Sequence, residues 1–101
     1  MTVRRTARWQ WWLDDRILEH LRDESFSTAE RMAELPGIHA TKRQVQERCE
    51  VLAWVDLVTF VTGDHDLIEL TTWGKRYLEG NLDVEHHPHP RHPALHQQLQ
   101  I

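Results

Sequence analysis

Between Ser27 and Trp54 the sequence opens a helix, breaks it and opens another within so few residues that the two must meet at an angle. Ser27-Thr28-Ala29-Glu30 has the form of a capping box, in which a hydroxyl and a carboxylate three residues on satisfy free amides at a helix start. It predicts a helix over 28–35. Pro36-Gly37 ends that helix, and Ile38 supplies an apolar anchor before the chain restarts. Thr41-Lys42-Arg43-Gln44 repeats the capping pattern and opens a helix over 42–54, with Val45, Cys49 and Leu52 as a narrow inward stripe. Two short helices joined by a tight Pro-Gly turn outline a helix-turn-helix.

The flanks are equally patterned. Trp9, Leu13, Ile17 and Leu21 recur every four residues and Leu18 widens the stripe, which predicts a first helix over 9–24. Trp12 falls about 100° from Leu13 on a wheel of 3.6 residues per turn, so it reads as a surface or interface residue. Beyond Asp56, the segments 57–62 and 67–71 are rich in β-branched and aromatic residues and are separated by the turn formers Gly63-Asp64-His65-Asp66, the pattern of a β-hairpin. Thr72 is placed to cap a last helix, Trp73 to Gly80, with Trp73, Tyr77 and Leu78 turned to the core. Residues 1–8 form a short basic arm with Arg4, Arg5 and Arg8. At the other end, 85–101 sets Pro88, Pro90 and Pro93 among five histidines with no core-forming period, and reads as a disordered tail. One domain over 9–84 remains.

Helix, helix-turn-helix, hairpin and closing helix in this order give an α+β fold, the winged helix-turn-helix. It has a three-helix core, a two-stranded β-hairpin wing and a short closing helix, and it sets its third helix in the major groove of DNA. Three segments are more particular. Arg16-Ile17-Leu18-Glu19-His20-Leu21, Val45 to Ala53 running into Leu57-Val58, and above all Leu70-Thr71-Thr72-Trp73-Gly74-Lys75-Arg76-Tyr77-Leu78-Glu79-Gly80 resemble the haloarchaeal phage-repressor-like winged-helix family, over roughly residues 12–84. The resemblance implies a small repressor-like transcription regulator, with double-stranded DNA as its partner.

Candidate DNA contacts follow from the third helix. Thr41, Lys42, Arg43 and Gln46 lie at its start and off its core stripe, where donors meet phosphates and base edges. Arg43 is the strongest candidate, because its planar fork matches guanine O6 and N7. Arg31 on the preceding helix is a candidate phosphate contact, and Arg4, Arg5 and Arg8 are candidates for a groove-following arm. Glu47 can accept from cytosine N4, whereas Glu50, a turn on, and the acidic hairpin tip with Asp64 and Asp66 oppose phosphate. Trp9 and Trp73 fit core positions. Trp11 and Trp12 diverge too far to be buried together in one small monomer, which points to a homodimer interface through the first helix. Trp54 fits either a surface or an inward position.

Charge argues the other way. The chain carries 12 Lys+Arg against 16 Asp+Glu, a formal charge of −4, where a simple DNA binder shows a basic excess. Only Lys42 and Lys75 are lysines, a balance suited to molar salt, in which the Debye length is about 3 Å and long-range repulsion is largely screened. The acidic surface also keeps open an alternative, a winged-helix module that docks a protein instead of DNA. A metal-responsive regulator using the tail histidines His86, His87, His89, His92 and His96 is a further option, but a proline-broken tail offers no fixed ligand geometry, and no metal or cofactor is expected. Enzyme activity is not expected: Cys49 faces the core, Asp14-Asp15 and Asp23-Glu24 are adjacent pairs that diverge, and no P-loop, HExxH or GxSxG occurs. Apolar runs are far shorter than the roughly 20 residues that cross a bilayer, so a cytoplasmic protein away from membranes is expected.

Overall fold

Leu13, Ile17, Leu18 and Leu21 are all buried, and the helix that carries them, α1 (Trp12–Glu24), forms one wall of the core. The structure is a computed structural model that describes residue 4, residues 10–61 and residues 66–84. After α1 come β1 (Phe26–Thr28), α2 (Ala29–Ala33), α3 (Lys42–Trp54), β2 (Val58–Phe60), β3 (Leu67–Leu70) and α4 (Thr72–Leu78). The winged-helix architecture expected from the sequence is present. Trp9, the tail 85–101 and the hairpin tip 62–65 lie outside the described residues.

The sheet has one more strand than the sequence pattern indicated. Its order is β1-β3-β2, antiparallel throughout, with Ser27 opposite Ile68 on one side of β3 and Phe60 opposite Ile68 on the other. A strand of three residues directly after a helix is too short to show alternation, and pairing with β3 is what makes it a strand. This third strand moves the cap of α2. Ser27 points inward in β1, so the cap passes to Thr28, whose Oγ1 accepts from the Arg31 amide at 3.1 Å.

A second cap moves for a related reason. The Thr71 hydroxyl, not that of Thr72, accepts from the Gly74 amide at 3.0 Å while donating to the Asp56 carbonyl at 2.6 Å, which locks α4 to the turn after α3. Trp73 is therefore not a core residue: it is 37% exposed, with the Arg76 guanidinium 5.1 Å from its ring. Gly74, one turn before Tyr77 and Leu78, occupies the buried face instead. A Cβ at Gly74 would collide with the Leu57 carbonyl oxygen and the Leu70 side chain. A glycine gives no hydrophobic signal, so the pattern selected its bulky neighbour.

The core gathers residues from all four helices and from β2 and β3, with Ile17, Leu18, Leu21, Met32, Val45, Leu52, Val55, Leu57, Val58, Ile68 and Tyr77 fully enclosed. It supports α3 on its inner side alone.

Candidate nucleic-acid interface

The helix α3 begins as its sequence dictates. Thr41 Oγ1 accepts from the Gln44 amide at 3.1 Å, and Gln44 Oε1 accepts from the Thr41 amide at 2.9 Å, a reciprocal capping box. Val45, Cys49 and Leu52 are buried, which turns Lys42, Arg43, Glu47 and Glu50 outward and leaves Gln46 half-buried. Together with Asp66 at the start of β3, these residues line one open groove along the helix. Among the described residues Lys42 makes no ion pair and Arg43, with 90% of its side chain exposed, is held only by Glu47 Oε1, 3.2 Å from its Nε.

The other candidate cations are more engaged. Arg31 Nη2 lies 3.4 Å from Glu24 Oε1 on an exposed surface. Arg4 departs from the expected free arm: its Nη1 donates to Glu19 Oε2 at 2.6 Å and lies 3.3 Å from Asp15 Oδ2, so α1 holds its charge. Two carboxylates on one helix face outcompete solvent for a nearby guanidinium. Arg5 and Arg8 lie outside the described residues.

Behind the exposed face of α3, one residue of the inward side is charged. Arg48 donates from Nε to Asp14 Oδ1 at 2.9 Å and from Nη2 to Asp14 Oδ2 at 2.8 Å, and its guanidinium lies 4.3 Å from the centre of the Trp11 ring. Asp14 is fully buried and also accepts from the Trp11 amide at 3.0 Å, closing the start of α1. Asp15 does diverge from it, as adjacent helix residues must, but toward a different partner: the Tyr77 hydroxyl donates to it at 2.6 Å. The sequence pattern showed their divergence but neither partner. The available signal was Arg48 itself, which stands three residues after Val45 and four before Leu52, on the stripe.

Trp11 and Trp12 are 54% and 60% exposed at the start of α1, and Trp54 is 47% exposed at the end of α3. Cys49 is buried, and burial first, with Asp14 and Glu50 adding, pushes its thiol up to about 12, which leaves it inert at neutral pH. Among the described residues no group of three or more His, Cys, Asp or Glu is arranged to hold a metal ion, and no helix is long and apolar enough to cross a membrane.

One titratable contact sits where α1 meets β1. His20 Nε2 is 3.1 Å from Ser27 Oγ. Burial lowers the His20 pKa from its ordinary 6.5 and Arg31 lowers it further, against the opposing fields of Glu24 and Asp23. A lowered value in the folded state means that the unfolded chain binds the proton more readily. The contribution to stability is then complete above 6.5 and is lost as pH falls through the folded value. Thermal melts are expected to show a midpoint that drops on acidification across this range, and His20→Gln should remove that component of the slope. An unchanged slope in the variant would assign the acid sensitivity to other groups.

The assembled geometry is similar to a solved structure described as the crystal structure of the PhiH1 repressor-like protein from Haloarcula marismortui. The TM-score is 0.81 and the identity 26%, over 88% of this chain and 99% of that one. The resemblance to the haloarchaeal phage-repressor-like family, drawn from the segments around Arg16, Val45 and Trp73, is borne out. No family model and no curated protein matches the chain.

Proposed function

We propose that this chain is a DNA-binding transcription regulator of repressor-like type, which sets α3 in the major groove and reads bases with Arg43 and Gln46. Lys42 and the capped amino end of α3, together with Thr41, contact phosphate, and Arg31 reaches phosphate from α2. One observation carries this reading. The amino end of α3 stands clear of its own fold, with Lys42 unpaired among the described residues and Arg43 nearly fully exposed. The likeness to a repressor-like protein points the same way. Arg4 is omitted from the contact set, because Glu19 and Asp15 already take its charge.

The protein acts as a homodimer in this proposal, joined through the exposed Trp12 and the neighbouring Trp11 at the start of α1. Two-fold symmetry then calls for half-sites about 34–36 Å apart, or a multiple of that spacing. Titration of labelled duplexes in molar KCl, with sedimentation of the complexes, tests all of this together. Arg43→Ala is expected to cost about 1–3 kcal/mol of binding at one base position. Lys42→Ala should weaken binding to every sequence alike and flatten the salt dependence by about one unit of slope. The complex should contain two protomers per duplex. Equal binding of the wild type to a selected site and to its scrambled version would reject the mechanism.

The acidic lining of the groove, with Glu47, Glu50 and Asp66 beside Lys42 and Arg43, favours a second reading as a protein-docking module. Its distinguishing sign in the same titrations is that no duplex binds at any salt concentration.

A further inference from the structure

Among the described residues Glu47 is the acidic residue of the groove joined to Arg43, a candidate base-reading side chain, and the manner of the joining is specific. Its Oε1 takes the Nε edge of Arg43, and Arg43 makes no other polar contact among the described residues. A guanidinium has one N–H on Nε and four on its two terminal nitrogens. With Nε occupied, the free edge is the terminal pair, the fork that spans guanine O6 and N7 end-on. The contact runs from position 43 to position 47, one helical turn, so the carboxylate lies on the same face as the guanidinium it orients.

We propose that Glu47 is a specificity-determining positioning residue, which holds Arg43 by its Nε so that the terminal nitrogens present to a guanine in the major groove. This deepens the DNA-binding reading above and rests on it. It also accounts for a carboxylate on a face that meets polyanion. Repulsion from phosphate lowers affinity for all duplexes alike, while a long side chain fixed before binding gives up less rotational freedom when it meets its base. The exchange trades general affinity for discrimination. It replaces the reading of Glu47 as an acceptor for cytosine N4, since the carboxylate is directed to Arg43.

Two substitutions separate orientation from charge. Glu47→Ala removes both the acceptor and the negative charge, whereas Glu47→Gln removes the charge but keeps an amide oxygen at the same reach. Both are expected to bind a randomised duplex pool more tightly than the wild type, and to similar extents. The pool is selected with wild type and with Arg43→Ala, to find the guanine whose enrichment depends on Arg43. Fluorescein-labelled duplexes carrying guanine, 7-deazaguanine or adenine at that position are then titrated against all four proteins.

The wild type should prefer guanine over 7-deazaguanine, which lacks the N7 acceptor. Glu47→Ala should lose at least about fivefold of that preference, the lower end of what a bidentate base contact provides, and Glu47→Gln should keep most of it. A Glu47→Ala protein with the wild-type guanine preference overturns the inference and leaves the DNA-binding reading standing. A wild type that selects no sequence from the pool overturns both.

Discussion

Asp14→Ala is expected to cost about 3–5 kcal/mol of folding stability, the usual result of stranding one partner of a buried ion pair. Urea unfolding followed by tryptophan fluorescence reads it directly. The carboxylate is fully buried and has three donors, two from Arg48 and one from the Trp11 amide. Its loss takes a carboxylate 2.8 Å away from a guanidinium with only 11% of its side chain exposed. The attraction of the pair is not the whole effect, since most of the loss comes from the charge that stays behind.

The double variant Asp14→Leu with Arg48→Met should therefore recover much of the loss, because it leaves no charge to desolvate. A loss under about 1 kcal/mol in Asp14→Ala would mean that the pair is solvated and behaves as a surface bridge. The pair has a position as well as an energy. It ties the middle of α3 to the first turn of α1, so the orientation of the proposed reading helix depends on it.

Gly74→Ala should be a damaging single-methyl change, with a loss of at least about 1–3 kcal/mol, the range for overpacking a core. The added Cβ would meet the Leu57 carbonyl oxygen and the Leu70 side chain. The Leu57 carbonyl cannot retreat, since it accepts from the Thr71 amide at 3.1 Å and that residue starts α4. Leu70 is buried and pairs with Val58 of β2. Gly37→Ala is the matched control. A Cβ there meets nothing within 4 Å, so the change should be neutral or stabilise by about 0.4–1 kcal/mol through a stiffer unfolded chain. Equal melting points for the two variants would show that α4 shifts to accommodate the methyl group.

Much of the path to these sites was legible in the chain. The four-residue recurrence of Leu13, Ile17 and Leu21, the Thr41–Gln44 capping box and the Val45, Cys49 and Leu52 stripe depend on neighbours within one or two turns, and each is found as read. Those local rules were enough to turn Lys42 and Arg43 outward. They failed where a residue's role is set by something distant in the chain. Ser27 looks like a cap until β3 arrives 41 residues later and makes it a strand residue facing His20. Trp73 looks like core until Leu57 and Leu70 close over Gly74.

The sequence by itself determined which segments become helices, which sides of α1 and α3 are apolar, and hence that a capped, cation-bearing helix end faces away from the core. Side-chain period and capping are properties of contiguous residues and need no partner to be decided. Tertiary structure alone decided which charges are consumed. Arg48 to Asp14, Arg4 to Glu19 and Tyr77 to Asp15 join residues 34, 15 and 62 positions apart. Electrostatic pairing depends on distance in space, and only the folded chain sets it.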